Sequence, residues 1–366
     1  MKILLVNQGH TDNLGDKAIS KIMTYYLTEV FNNTVISAPF IAYEKTSEIT
    51  ENRIFANDKK NSNDFKYRKI TWKQKFNRIC AKLLPESIVY IIKEKKAISK
   101  FLDNYKQIDA VIIGGGELIK NHHPFTYAFL MWINCVKKKY KCPIAIWGVS
   151  SDEKFSFGGK VIYRYAIKNS SYIGVRDLKT KEIIKNLYKV DAEYSPDIVF
   201  EYNHIFEQKI EPSRDILFFL NSYEEVKLAY STETNYFSQF VKNIPPTHKL
   251  LRVGFVTQDD YFEAVRFCEY LVNKLKYDKN IVVLEKTFSV SELVNVIAQC
   301  GTVISGRMHP MILGLQFGKK IIPIPVKKKL EIFEEEWKEV EIGTEIYSII
   351  ESHFEKMINV LDKSCR

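Results

Sequence analysis

GTVISGRMHPMILGLQFGKKIIPIP, Gly301 to Pro325, is the stretch that decides the fold. Thr302 to Ser305 reads as a short buried strand. Pro310 suits the opening of a helix, because its ring fixes φ near the helical value. Gly318 suits the close of that helix, and Ile321 to Ile324 reads as the next strand. The turn of this strand–helix–strand unit carries Ser305, Gly306, Arg307 and His309. A helix N-terminus presents unpaired N–H groups and draws anions. Arg307 adds a planar fork for carboxylate or phosphate, and His309 a group that exchanges a proton near neutral pH. A plainer reading stands beside this one: an arginine that caps a neighbouring carbonyl and a loop histidine satisfied by its surroundings.

Working outward, the same alternation recurs. Lys2 to Val6 is an apolar run suited to a central parallel strand. It leads through NQGHTDNLGDK into a helix from about Asp16 to Phe31, with Asn13 and Asp16 as cap candidates. The spacing of Gly9 and Gly15 fits neither a dinucleotide nor a P-loop fingerprint. Ile108 to Ile113 is a buried strand that runs into Gly114-Gly115-Gly116-Glu117, where three glycines after the strand permit close approach of backbone to a ligand or an unusual turn. Pro143 to Val149 and Tyr172 to Val175 are further strands. Arg176 and Asp177 open the helix after the latter. Asp177 is an ordinary cap. Arg176 opposes the helix dipole, so either an anion or a contact within the turn explains it.

Glu201 to Arg214 reads as a linker. Strands at Ile216 to Leu220, Lys249 to Phe255 and Ile281 to Leu284 alternate with helices from about Tyr261 to Lys276 and Val290 to Gln299. The pattern predicts an α/β protein of two Rossmann-like domains with parallel sheets. They would span 1–205 and 206–366 and face each other across a cleft, with a closing helix over 346–361.

The length of 366 residues suits two domains, and 46% hydrophobic residues suffice for two cores. No run reads as a signal peptide or membrane span. The six cysteines are scattered, with no CxxC pair or zinc spacing, and read as reduced thiols. The formal charge is +10, and eleven Lys and Arg stand against Glu86 and Glu94 between Lys66 and Lys100. This excursion, about 66–105, reads as two helices broken near Pro85, with Trp72, Phe76, Ile79 and Leu83 at helical spacing. It is either a solvated cover of the first domain or a membrane-surface element drawn to anionic lipid. A nucleic-acid role lacks any recognised module.

Several of these residues coincide with one family. Asn13-Leu-Gly-Asp16-Lys-Ala-Ile, Gly114-Gly115-Gly116, Arg176-Asp177, Pro196-Asp197 and Ser305-Gly-Arg307-Met-His309, in that order, resemble the polysaccharide pyruvyl transferases over most of the chain. Asn121 stands near the place of a usual aspartate, WGVSSDE replaces a glycine-rich turn, Thr180 replaces a serine, and Pro310 replaces a small residue. The resemblance implies a GT-B-like architecture. It also implies transfer of the pyruvyl group of phosphoenolpyruvate to a sugar of a cell-surface polysaccharide precursor, leaving a pyruvate ketal. On that reading His309 is the acid and Asp16 the base or acceptor-orienting carboxylate. Arg176, Arg307, Ser305, Gly115 and Gly116 hold the donor, and Asn13 and Glu117 face the acceptor. Neither a metal nor a cofactor is expected. Phosphoenolpyruvate and a free or lipid-linked saccharide are the expected partners, with no nucleic acid. The expected location is cytoplasmic, with an anionic inner membrane face as a further partner. The alternative is a GT-B glycosyltransferase using a nucleotide sugar.

Overall fold

In the computed structural model, residues 1–43, 86–209, 211, 213–278, 281–337, 340 and 342–365 are described. The expected helix over Trp72, Phe76, Ile79 and Leu83 lies outside them. By contacts the chain divides into two compact units. The first comprises Met1–Thr11, Leu27–Tyr194 and His353–Arg366, and the second Asp12–Tyr26 and Ser195–Ser352.

In chain order the first unit takes β1 (Lys2–Asn7), β2 (Thr34–Pro39), β3 (Ala110–Ile119), β4 (Ile144–Ser151), β5 (Tyr172–Val175) and β6 (Glu193–Tyr194). Helix α1 (Leu14–Tyr25) follows β1 in sequence but belongs to the second unit. The helices α2 (Glu86–Leu102), α3 (His123–Lys139), α4 (Phe157–Lys168) and α5 (Leu178–Tyr188) belong to the first. All strand pairs are parallel, in the order β2-β1-β3-β4-β5-β6. Alternate strand residues such as Leu4, Val6, Val111, Ile113 and Ile146 join Ile98, Trp132, Tyr163 and Ile184 of α2 to α5 in one core. The buried carboxylate of Glu94 on α2 accepts from the backbone N–H groups of Ala42 and Tyr43 at 2.7 and 2.8 Å. It thereby fixes the chain that leaves β2.

The glycines expected to end β3 lie inside it. Gly115 and Gly116 take φ of 81° and 92°, and the register with β4 shifts between Gly116 and Ile119. A Cβ on Gly114 would stand 2.0 Å from the Trp147 carbonyl oxygen. Glycine thus lets the strand bulge against β4 without ending.

In the second unit a 3₁₀ turn, Ile198–Glu201, and α6 (Tyr202–Phe206) occupy part of the expected linker. Then come β7 (Ile216–Phe219), α7 (Tyr223–Ala229), α8 (Glu233–Val241), β8 (Leu251–Gly254) and α9 (Gln258–Glu269). They are followed by β9 (Val282–Leu284), α10 (Val290–Ala298), β10 (Thr302–Ser305), α11 (Met308–Gln316), β11 (Lys320–Pro323) and α12 (Lys328–Trp337). Helix α13 (Thr344–Cys365) closes the chain. The parallel sheet runs β9-β8-β7-β10-β11, the doubly wound order whose reversal falls between β7 and β10. Two bonds fasten the start of α1 in this unit. Leu14 N–H donates to the Val256 carbonyl at 3.0 Å, and Asp12 Oδ2 accepts from Gln258 N–H at 2.8 Å.

Candidate active site

The second unit brings three chain segments to one histidine. Asn13 caps α1, its side-chain oxygen accepting from Gly15 N–H at 2.9 Å and Asp16 N–H at 3.4 Å. Asp16 is buried in the first turn of that helix. Across from it, α11 begins at Met308 with Arg307 as its N-cap. The helix starts two residues before Pro310, which is tolerated at the third position because that N–H has no intrahelical acceptor. His309 therefore leaves the first turn of α11 and lies against the first turn of α1. A Cβ built on Gly15 would fall 1.9 Å from His309 Nδ1. Only glycine lets the ring lie there.

On its other side, His309 Nε2 lies 3.8 Å from Asp197 Oδ2. Asp197 is buried, and its Oδ1 accepts from Val199 N–H at 3.0 Å at the head of the 3₁₀ turn. One carboxylate oxygen thus fixes the backbone while the other faces the imidazole. The ring has a helix N-terminus on one flank and a carboxylate on the other.

The turn before α11 is closed internally. Ser305 Oγ accepts from Arg307 N–H and donates to the Arg307 carbonyl, both at 2.8 Å. Gly306 lies against Asn221, where a Cβ would stand 1.8 Å from Oδ1. The Arg307 guanidinium meets two carboxylates. Its Nε donates to Asp260 Oδ2 at 2.9 Å, its NH2 to Asp260 Oδ1, and its NH1 pairs with Glu225 Oε2 at 2.8 Å. Burial alone would lower the Arg307 pKa; Asp260 and Glu225 more than offset burial and raise it. Burial likewise raises Glu225, but Arg307 and Lys327 outweigh it and hold the carboxyl at about 2. Asp260 also forms a reciprocal capping box with Thr257 at the start of α9. The cluster sits at the carboxyl ends of β7 and β10, where the strand order reverses and open α/β sheets bind ligands.

The first unit carries the remaining expected site residues. Gly115, Gly116 and Glu117 lie on β3 beside the reversal between β1 and β3. Glu117 pairs with Lys120 at 3.3 Å. Arg176 is buried beyond β5, and its NH2 donates to Ser150 Oγ at 3.0 Å. Asp177 caps α5 and takes both the N–H and the hydroxyl of Thr180, at 2.6 and 2.9 Å. Thr180 Oγ1 accepts in turn from Ser151 N–H at 3.0 Å, so the hydroxyl at this position ties α5 to β4. Asn121 Oδ1 accepts from Ser156 N–H at 3.0 Å at the start of α4.

The spacing of motifs does not reveal Asp197, Glu225 and Asp260 as partners. Asp197 stands in the Pro196-Asp197 pair, and Thr257-Gln-Asp-Asp260 has the capping-box spacing, but neither local pattern names His309 or Arg307. Among the described residues no group of three or more His, Cys, Asp or Glu is arranged to hold a metal ion.

A sequence model of the polysaccharide pyruvyl transferase family matches residues 13–328. No curated protein matches the sequence. The fold is similar to that of UDP-GlcNAc 2-epimerase from Neisseria meningitidis, solved with UDP-GlcNAc. That match has TM-score 0.51 and 11% identity, covering 100% of this chain and 94% of that one. It is also similar to a putative UDP-N-acetylglucosamine 2-epimerase from Listeria monocytogenes, with TM-score 0.54 and 11% identity, covering 100% and 90%. At such identity the likeness is one of fold, and the fold is GT-B-like, with two parallel-sheet α/β units.

Proposed function

Because the chain belongs to the polysaccharide pyruvyl transferase family, we propose that it moves the pyruvyl group of phosphoenolpyruvate onto a saccharide of a cell-surface polysaccharide precursor, forming a pyruvate ketal. The observation that carries this reading is His309, set between the N-terminal turn of α1 and the Asp197 carboxylate.

In the proposed reaction His309 protonates the methylene carbon of phosphoenolpyruvate. The neighbouring carbon becomes an oxocarbenium, and a sugar hydroxyl adds to it and gives up its proton to Asp16. The C–O bond to phosphate then breaks, inorganic phosphate departs with its electron pair, and a second hydroxyl closes the ketal. Of the two hydroxyl protons, one replaces the proton spent on the methyl group and the other leaves with phosphate or solvent. A positioned general acid contributes roughly 100- to 10,000-fold. Arg176 supplies a planar fork for the donor's carboxylate or phosphate, and the backbone at Gly115 and Gly116 is assigned to the same donor. Ser305 shapes the turn that presents His309. Arg307, engaged with Asp260 and Glu225, acts on the donor through the placement of that turn. Asn13 and Glu117 are assigned to the acceptor. The arginine makes a metal unnecessary in this scheme. Phosphoenolpyruvate is a cytoplasmic metabolite and polysaccharide precursors are built on lipid carriers, so the same reading puts the enzyme at the inner face of the membrane. No described helix is long and apolar enough to cross it.

The test is incubation with phosphoenolpyruvate and a panel of free and lipid-linked saccharides, with phosphate release and product mass as readouts. Phosphoenolpyruvate at about 100 times its Kd should stabilise the fold by roughly 2.7 kcal/mol, and UDP- or GDP-sugars should not. Stabilisation by a nucleotide sugar alone, with glycosyl transfer, would replace the proposal with a glycosyltransferase.

A further inference from the structure

The outer face of the helical layer in the first unit has no part in the chemistry above. Helix α2 packs on α3 and α3 on α4, and Ile98, Trp132 and Tyr163 turn one side of each into the core. The other side is unusual. Phe157, Val161 and Tyr165 on α4 recur every fourth residue and are 84%, 53% and 39% exposed. Ile88 and Ile92 on α2 repeat the spacing and are 41% and 54% exposed. Apolar residues at this period ordinarily mark the buried stripe of a helix. Here the core stripe is already present on the opposite side, so the outward row is a second one.

The charge on these helices is mostly of one sign, with Asp103, Asp152 and Glu153 in the flanking loops. The three helices carry ten Lys and Arg, and their two acids are both on α2, Glu86 and the buried Glu94. Neither α3 nor α4 contains an acid. Lys160, Arg164 and Lys168 each stand one residue from the Phe157–Val161–Tyr165 row or continue it, and all three are exposed. Between α2 and α3 lies an open groove of about 600 Å³, lined by Ile91, Leu102 and Met131 together with Lys95, Lys138, Lys139 and Asp103, the last two paired at 3.0 Å. Because each helix returns antiparallel to its strands, the exposed Ile88, Ile92 and Phe157 gather at the end nearer the strand carboxyl termini. Lys100, Lys138 and Lys168 gather at the other.

We propose that the α2–α3–α4 face docks on an anionic lipid bilayer, with the apolar row at the headgroup boundary and the lysines among the phosphates. Apolar side chains with Lys and Arg on the same face are the composition that lies in such an interface, and each basic residue near it contributes about 1 kcal/mol. The aliphatic Ile88, Ile92 and Val161 distinguish this partner from nucleic acid, where flat rings stack and aliphatic side chains gain little. A second copy of the same face would bring like charges together. The proposal deepens the membrane placement given above. It makes no use of donor or acceptor, so vesicle binding and pyruvyl transfer fail independently.

The experiment is flotation of the full chain with vesicles rich in phosphatidylglycerol and with vesicles of phosphatidylcholine alone, at low and high salt. Binding should favour the anionic vesicles strongly and weaken with salt. Each Lys→Glu change should lower partition about fivefold or more, so the combination of Lys96→Glu, Lys100→Glu, Lys160→Glu and Lys168→Glu should abolish it. Phe157→Ser with Val161→Ser should also reduce binding, with retained salt sensitivity. All six side chains are exposed, and an unchanged Tm checks that each variant is folded. Equal binding to neutral vesicles, or no binding to either, overturns the proposal. So does binding that survives both variant sets and disappears only when Lys73, Lys75, Arg78 and Lys82 are reversed. Capture of single-stranded RNA in preference to vesicles overturns it in favour of a nucleic-acid face.

Discussion

His309 and Gly15 are in such close apposition that a methyl group on the glycine would stand 1.9 Å from the ring's Nδ1. Gly15 belongs to the first turn of α1, where a helix otherwise favours alanine. Gly15→Ala should therefore leave α1 able to form and displace the imidazole. Overpacking of this kind costs about 1–3 kcal/mol of stability. Turnover should fall by roughly 100-fold or more if the ring is the general acid, while phosphoenolpyruvate still stabilises the protein. Near-normal turnover with a shifted Tm would make the contact structural only.

Asp197 should behave as a positioning residue. Its two oxygens do different work, one holding Val199 N–H and the other facing Nε2 of His309. Asp197→Asn keeps an oxygen for Val199 and removes the charge beside the ring. Its kcat should drop by about 10-fold or more with little change in donor KM, and Asp197→Glu should recover part of it. In a His309→Ala background, Asp197→Asn should cost nothing further, since both residues act through the same ring. Independent, additive losses would separate the two residues.

The apolar strands were legible because a buried parallel strand is apolar on both faces. Lys2–Asn7, Ile216–Phe219 and Thr302–Ser305 declare themselves that way. Thr34–Pro39 does not: it is the edge strand of its sheet, half-exposed, and ends in proline. The triple glycine reads as a turn, because sequence does not show that Trp147 passes close enough to require glycine inside a continuing strand. At the site, Arg307 and His309 stand out by residue type and place. Their partners do not, since Asp260 and Asp197 arrive from distant segments of the chain. Nor does local pattern show that α1, which follows the first strand of one unit, is fastened into the other by Leu14 and Asp12.

Arg307 should prove a stability residue as much as a functional one. A single guanidinium holds both Asp260 and Glu225. Lysine keeps one charge but not the two-sided fork, and removing one partner from a buried pair costs about 3–5 kcal/mol. Arg307→Lys should lower Tm clearly and reduce turnover in the folded fraction. Glu225 adds a pH signature. Its folded pKa of about 2 lies below its unfolded value, so its contribution is complete above the unfolded pKa and is lost as pH falls toward 2. In Arg307→Lys that acid-side loss should be smaller and should end at higher pH, as followed by urea unfolding between pH 2 and 6. An unchanged acid profile would deny the coupling.

Arg176 is the more direct test of donor binding. It is buried beyond β5 with Ser150 as one partner. Arg176→Lys should raise the KM for phosphoenolpyruvate about 10-fold or more, because a point charge replaces a fork. Ser150→Ala should matter far less. Loss of kcat with donor KM unchanged would place Arg176 outside the donor site.

Glu201 supplies the last prediction, and its sign is opposite to that of Glu225. It ends the 3₁₀ turn that Asp197 begins, and it is fully buried. Burial raises its pKa, Glu351 raises it further, and the neighbouring Tyr26 hydroxyl only partly opposes them, leaving the carboxyl at about 7. The folded pKa exceeds the unfolded one, so the protonated acid favours folding. Stability from this group is fully present below the unfolded pKa and is lost as pH rises through about 7. A shift of that size corresponds to roughly 3 kcal/mol across the interval. Glu201→Gln mimics the protonated form with little change of shape. Its stability should match that of the native protein near pH 5 and exceed it near pH 8, read as the difference in unfolding free energy from urea titrations. The turn carries Asp197 at its head, so the same variant should also flatten any fall in turnover above neutral pH that arises from loosening of this segment. Equal stabilisation by Glu201→Gln at both pH values would mean that Glu201 does not titrate in this range.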